Sequence, residues 1–409
     1  MKHWNRYNPI GAEEKAAVNR VLDSGVLSKY IGAWHEDFNG GVEVNAFEHE
    51  LAEYFGVPHA VVFNSLTSGL IAAMGAMGVQ PGDEILVTPW SMSATATAIL
   101  IWGGIPVFVD IEPDFYGIDP NRIAEKITKK TKGIIVADIF GHGARLDELR
   151  ALADQHHLFL IEDVAQAPGI QLNGKFLGTW GDVGGFSLNY HKHIHTGEGG
   201  FCICHRDDIA MKMRLIRNHA ESAVSGSPID DLTNMVGFNF RLGEMEAAIG
   251  REQLKKLPML LQQNQKKASR IIETLASETW LVTTPVGKPG EHAYYVLPFR
   301  LTDDRITNSQ LAEKLRERGV PGIVCGYVNI HRLPMYQQKI AFGPFPWAHS
   351  EPDLYHYDIG QFPIAETLHT KTFIGLLISM FDLNEDECTW IANQMIAAYQ
   401  ELSAEVQHE

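Results

Sequence analysis

The stretch NYHKHIHTGEGG, residues 189–200, sets one lysine among three histidines and runs into a glycine-rich turn. Three chemistries are open to it. On an extended strand His191, His193 and His195 share a face, as metal ligands could. A glycine turn lets backbone approach a ligand. Lys192, between the apolar run VGGFSLN and that turn, is placed to be a buried lysine of lowered pKa, as Schiff-base chemistry needs. Zinc sites draw their ligands from separate segments, and the turn adds only Glu198 as a carboxylate, so no metal is expected. The GxGxxG spacing of a dinucleotide fingerprint is missing.

Two further positions carry chemistry. NSLTSG (64–69) falls between a strand and a helix, where free N–H groups and the hydroxyls of Ser65, Thr67 and Ser68 suit a phosphate; plain helix capping gives the same pattern. Asp163 ends the run LFLIED, where a carboxylate can hold a cationic ring nitrogen or simply cap a helix. Gln166 lies one helical turn further on and can reach the same ligand.

The elements that must position these residues alternate. HAVVFN, DEILVTP, IPVFVDI, KGIIVADIFG, LFLIED and VGGFSLN read as strands. SLTSGLIAAMGAMG, SATATAILIWGG, DPNRIAEKIT and RLDELRALADQHH read as helices between them. Near-continuous apolar strands separated by helices predict an α/β fold with a mostly parallel sheet, and ligands of such sheets sit beyond the strands' carboxyl ends. A long helix is expected at about Leu242 to Leu257. It leads from a large domain (1–255) into a smaller α+β domain (256–409), with a strand in AYYVLPFR and helices in NSQLAEKLRERG and DECTWIANQMIAAYQEL.

The bulk of the chain narrows the function classes. At 409 residues, 45% hydrophobic and 21% charged, it reads as a soluble globular protein. A formal net charge of −16 excludes a broad basic surface for nucleic acid. The N-terminus has no apolar signal core, and the uncharged run 85–109 is broken by Pro and Gly, so neither secretion nor a membrane span is expected. The four cysteines form no paired framework, which fits a cytoplasmic location.

In combination and in order, these segments resemble the DegT/StrS family of pyridoxal-phosphate sugar aminotransferases. FSLNYHKHIHTGEGG resembles its active-site lysine segment and IEDVAQAPG its Asp-x-Ala-Gln segment. NSLTSG resembles its phosphate turn and GFNFRLGEMEAAIG its Asn-x-Arg segment. The similarity runs from about residue 10 to residue 255 and continues more weakly through RERGV, YVNIHRLPMY and FPIAE.

The resemblance implies an aspartate-aminotransferase-like (fold type I) large domain and pyridoxal 5′-phosphate as cofactor, alternating with pyridoxamine 5′-phosphate. Lys192 becomes the cofactor's lysine, Asp163 the partner of its ring nitrogen, and Gln166 a neighbour of its ring hydroxyl. Thr67, Ser68 and Ser187 are implied to hold the phosphate. Asn239 is implied to reach the phosphate of a neighbouring subunit, which makes the active form a homodimer with shared sites. An amino-acid donor, glutamate in the family, and a keto-sugar, nucleotide-linked, are the implied substrates; a dehydratase of the same fold is the alternative, and a non-catalytic regulator that keeps the fold is a more distant one, against which the retention of Lys192, Asp163 and Gln166 argues.

Three departures stand out. Leu66 replaces a glycine of the phosphate turn. Met92 stands where an aromatic residue stacks on the ring, with Trp90 two residues earlier as a substitute. The histidines flanking Lys192 are not a family feature. His191, His193, His219, Tyr327 and His331, and more weakly Arg217, are candidate substrate contacts. Residues 34–44 are a candidate wall of the pocket, and the aromatic-rich stretch 343–364 a cover for the site or for the core.

Overall fold

A computed structural model describes residues 3–288, 290–351 and 354–407. The six strands expected from apolar runs, joined by Gly200–Cys204, form one seven-stranded sheet: β1 (His59–Phe63), β2 (Glu84–Val87), β3 (Ile105–Phe108), β4 (Thr131–Ala137), β5 (Phe159–Asp163), β6 (Val183–Ser187) and β7 (Gly200–Cys204). Their order is β1-β7-β6-β5-β4-β2-β3. β7 runs antiparallel to both neighbours, and the pairings from β6 through β5, β4 and β2 to β3 are parallel. The expectation of a mostly parallel sheet therefore holds.

Burial on both faces explains why the strands read as unbroken apolar runs. Ile85, Val87, Ile135 and Ile161 belong to one core, and Leu86, Ile134, Val136 and Leu160 to the other. Helices α1 (Ala12–Ser24), α2 (Val42–Phe55), α3 (Leu66–Ala76), α4 (Ala94–Leu100), α5 (Leu146–Gln155), α6 (Asp207–Arg217) and α7 (Glu244–Thr274) accompany the sheet. Residues of α3, α4 and α6 fill the first core, and residues of α2, α5 and α7 the second.

α7 is much longer than the expected 242–257. It passes through Pro258 and continues to Thr274, crossing residue 255 without a break. Proline removes one ladder bond, but the buried stripe Leu254, Leu257, Leu261, Asn264, Ala268, Ile271 continues past it and keeps the segment helical. A four-stranded antiparallel sheet follows: β8 (Leu281–Thr283), β9 (Leu297–Leu301), β10 (Ile323–Cys325) and β11 (Phe373–Leu376), in the order β8-β9-β11-β10. It packs with α8 (Asn308–Glu317), which opens on a capping box of Thr307 and Gln310, and with α9 (Glu385–Gln407).

The described part of 343–364 covers core. Trp347, Tyr355 and Tyr357 are buried, and the Tyr355 and Tyr357 hydroxyls donate to Glu84 and to the Pro106 carbonyl, each at 2.8 Å. Among the described residues no helix is long and apolar enough to cross a membrane.

Candidate active site

Beyond the carboxyl ends of β4, β5 and β6, against the N-terminus of α3, lies a cavity of about 310 Å³. Thr67, Met92, Asp163, Gln166, Ser187, His191, Lys192 and Tyr327 line it. The fold thus gathers residues more than 200 positions apart that the sequence singled out one by one.

At one end is α3. Ser65 is its N-cap, and its hydroxyl accepts the Ser68 N–H at 3.1 Å. The remaining first-turn N–H groups of a helix have no partner within it and favour an anion. Gly200 allows the close approach this turn needs: a Cβ there would lie 2.3 Å from the Leu66 nitrogen. Thr67 and Ser187 border this end. Ser68 does not line the cavity; its hydroxyl donates to Asn64 Oδ1 at 2.7 Å and is spent within the turn.

In the middle is Asp163, the last residue of β5. Its Oδ2 accepts from the Thr95 hydroxyl at 2.7 Å and its Oδ1 from the Ala165 N–H at 3.2 Å. Thr95 in turn meets the Ser91 hydroxyl at 3.0 Å. Burial pushes the Asp163 carboxyl up from its ordinary value, while the Thr95 bond, the Ala165 N–H and the Lys192 charge pull it back. Gln166 is fixed at both ends of its amide: Oε1 accepts the Phe140 N–H at 2.6 Å, and Nε2 donates to the Tyr327 hydroxyl at 3.2 Å. Asp138, beside it at the end of β4, is fully buried, and its Oδ2 has no partner in the protein. Burial and the nearby Glu162 and Asp163 charges raise its carboxyl well above the ordinary range.

Lys192 sits on the loop between β6 and β7, closed by backbone bonds from Leu188 N to Gly199 O and from Thr196 N to Leu188 O. Burial lowers its amine to about 8, with Asp163 opposing the fall. A usable fraction is then the neutral nucleophile near pH 7–8.

The loop is not extended, so the three histidines do not share a face. His191 and His193 are both held neutral, chiefly by burial, and His193 is pushed down to about 4. Met92 lines the cavity and is 56% exposed, whereas Trp90 is buried against Tyr116, Phe140, Tyr327 and Phe373 and does not line it. β2 ends at Val87, so strand alternation does not carry on to residues 90 and 92.

Several other candidates lie outside the cavity. His331 is wholly buried, with Nε2 3.2 Å from Glu366. Arg217 is wholly buried and donates to Glu48 at 2.5 Å. His219 and Asn239 are partly or fully exposed; Asn239 Oδ1 accepts from Arg241 at 2.8 Å. Residues 34–44 contribute nothing to this chain's cavity. Ser91, Thr95, Asp138 and Tyr295 are residues of the site that sequence reasoning missed. For Ser91 and Thr95 the spacing i, i+4 was the available signal; for Tyr295 there was none.

An amine and an acid meeting at the carboxyl edge of such a sheet, beside a helix N-terminus open to an anion, are the parts that pyridoxal phosphate requires: aldehyde, ring nitrogen and phosphate each find a chemical complement. Asp138 also lines the cavity and keeps one carboxyl oxygen without a partner in the described protein. The fold is that of the fold type I aminotransferases.

The comparisons agree. The profile of the DegT/DnrJ/EryC1/StrS aminotransferase family matches residues 8–372. The chain is 30% identical over 388 residues to the spore coat polysaccharide biosynthesis protein SpsC of Bacillus subtilis (strain 168), covering 92% of this chain and 93% of that one. It is 31% identical over 350 residues to the GDP-perosamine synthase of Vibrio cholerae, covering 84% and 90%. The solved structure of Helicobacter pylori PseC, an aminotransferase involved in the biosynthesis of pseudoaminic acid, superimposes with a TM-score of 0.80 at 26% identity, covering 98% of this chain and 99% of that one. The chain belongs to the DegT/DnrJ/EryC1/StrS aminotransferase family.

Proposed function

We propose that the protein is a cytoplasmic homodimer that moves an amino group from an amino acid, glutamate first among the donors to test, to the keto carbon of a nucleotide-linked sugar. The observation that carries this reading is the juxtaposition of Lys192 and Asp163 in one cavity beside the α3 N-terminus. Relatives named for perosamine and spore-coat polysaccharide synthesis support a sugar as acceptor.

Bound in the cavity, pyridoxal 5′-phosphate supplies an aldehyde that captures amines and a ring that accepts the electron pair left when an α-proton departs. The chain's own residues do the rest. Thr67, Ser187 and the α3 N-terminus hold the phosphate. Asp163 would keep a proton on the ring nitrogen, and the Thr95 bond favours its carboxylate form against the effect of burial. Gln166 borders the ring's hydroxyl side, with its amide fixed by Phe140 and Tyr327. Lys192 Nζ anchors the cofactor and, when free, is the base that moves the substrate's α-proton. Met92, which lines the cavity, would pack on the ring more loosely than an aromatic side chain. Asn239, exposed on this chain, reaches the site of a second copy. Exposed apolar residues beside it (Leu232, Val236) and at Val26, Leu27, Ile31 and Val42 support such an interface. Retention of lysine at 192 favours transfer over dehydration.

The test is direct. The protein reconstituted with pyridoxal phosphate should absorb near the visible edge, and borohydride should fix the cofactor on Lys192. Glutamate should bleach the band, and one member of a panel of nucleotide-linked keto-sugars should restore it. A protein that stays colourless sinks the reading. For the dimer, mixing inactive Lys192→Ala with inactive Asn239→Ala chains should recover activity; no recovery rejects a shared site.

A further inference from the structure

The histidines around Lys192 have no part in this chemistry, yet the structure gives two of them a common purpose. His191 Nδ1 lies 2.8 Å from the Tyr295 hydroxyl, and His193 Nε2 lies 3.0 Å from the Ala293 carbonyl. Both grip the segment that leads into β9. That segment is also fastened to the turn that follows β4: Ala293 N–H donates to Gly141 O at 2.7 Å and Val296 N–H to Phe140 O at 3.2 Å. From behind, the Ser379 hydroxyl donates to the Tyr295 carbonyl at 2.9 Å. Tyr295 is therefore held at its hydroxyl and at its carbonyl, between two anchored stretches of backbone, and Lys192 Nζ lies over its ring, 4.6 Å from the centroid. His195 takes no part; its N–H donates to Gln253 at 3.3 Å.

We propose that Tyr295 is a positioning residue for Lys192: its ring face holds the lysine's cationic form whenever the amine is not bound to the cofactor, and His191 fixes the ring by accepting its hydroxyl proton. The inference rests on the assignment of Lys192 as the cofactor's lysine. Its physical basis is the shortage of counter-charge. Among the described residues Asp163 is the charge that raises the proton affinity of Lys192, and its carboxylate is already engaged by Thr95 and Ala165. A desolvated ammonium over an aromatic face gains more than an exposed one.

The groups facing the pair are few. Glu198 acts on His191 against the Lys192 charge, Lys267 and Lys192 act on His193, and Tyr190 and Tyr327 act on Tyr295. Burial keeps the Tyr295 phenol protonated and His191 neutral, so the hydroxyl donates and the imidazole accepts.

The experiment follows how fast the cofactor-free protein captures pyridoxal phosphate, read by absorbance across pH, because only the neutral amine reacts. The wild-type midpoint should report Lys192, near 8. Losing the ring in Tyr295→Leu destabilises the ammonium, so the midpoint should fall by about half a unit to one and a half units. Tyr295→Phe, which keeps the face, should stay close to wild type. His191→Ala should move the midpoint the same way by less, and His191→Gln, whose amide can accept the hydroxyl, should restore it; this pair answers the question even if Tyr295→Leu does not fold. A midpoint that is unchanged or raised in both Tyr295→Leu and His191→Ala overturns the proposal, as does Tyr295→Phe shifting as far as Tyr295→Leu. Wild-type protein that captures no aldehyde at any pH overturns the assignment of Lys192 itself.

Discussion

Thr95 offers a sharp test of how the cavity keeps an acid ionised. The Asp163 carboxyl is buried and pushed upward, and the shorter of its two hydrogen bonds is the 2.7 Å one from the Thr95 hydroxyl. Thr95→Val keeps the side chain's shape and deletes that donor. A hydrogen bond to a charged group contributes about 1.5–3 kcal/mol. At about 1.4 kcal/mol per pKa unit, its loss should raise the Asp163 carboxyl by about one to two units. The sign follows from the protonation states: the bond exists in full only for the carboxylate, so losing it favours the neutral acid. A neutral Asp163 cannot hold the ring nitrogen's proton, and the acid limb of kcat/KM for the amino donor reports groups of the free enzyme.

That limb should therefore move to higher pH by about one to two units in Thr95→Val and stay in place in Thr95→Ser, which retains the hydroxyl. The Ser91 hydroxyl, 3.0 Å from Thr95, loses a partner in the valine variant, so some stability is lost as well; the serine variant and the pH axis separate the two effects. An acid limb that does not move in Thr95→Val, with the protein folded, would refute the role given to this bond.

Three more outcomes follow from the same physics. Burial lowers His193 to about 4, so the unfolded chain takes up its proton first as pH falls below the ordinary 6.5; stability should drop between about pH 6.5 and 4, by up to about 3 kcal/mol from this residue, and His193→Gln should flatten the slope in denaturant titrations at stepped pH. Gly200→Ala puts a methyl 2.3 Å from the Leu66 nitrogen; with backbone as the obstacle it should cost about 1–3 kcal/mol and weaken cofactor binding through the displaced phosphate turn, measured by thermal melts and absorbance titration. Arg217→Ala leaves the buried Glu48 carboxylate with Arg214, 3.3 Å away, as its remaining ion-pair partner and should lower stability by up to about 3 kcal/mol in chemical unfolding; a variant of full stability with a raised sugar KM would instead return Arg217 to the substrate.

What was legible in the sequence divides along a physical line. The large sheet was readable because burial on both faces forces unbroken apolar runs, Asp163 because it stands where such a strand ends, and Lys192 because it lies between such a strand and a glycine-rich turn. Burial by a distant partner leaves no local mark. His331 and Arg217 look like free cations in sequence; only the fold brings Glu366 and Glu48 to them, 35 and 169 positions away, and turns both into core. Thr95 is one hydroxyl among many in SMSATATA, and which of them reaches Asp163 depends on where α4 begins and how it is rotated.

Tyr295 is harder still, because it enters the cavity from the segment before β9, more than 100 residues beyond Lys192. That distance bears on the chemistry. Once the loop of Lys192 and the segment 293–296 are fastened to each other through His191 and His193, the lysine's surroundings depend on how the C-terminal sheet docks against the large one. On the proposal above, the loop's histidines, a puzzle when read as ligands, are the means by which the segment leading into β9 sets the proton affinity of Lys192.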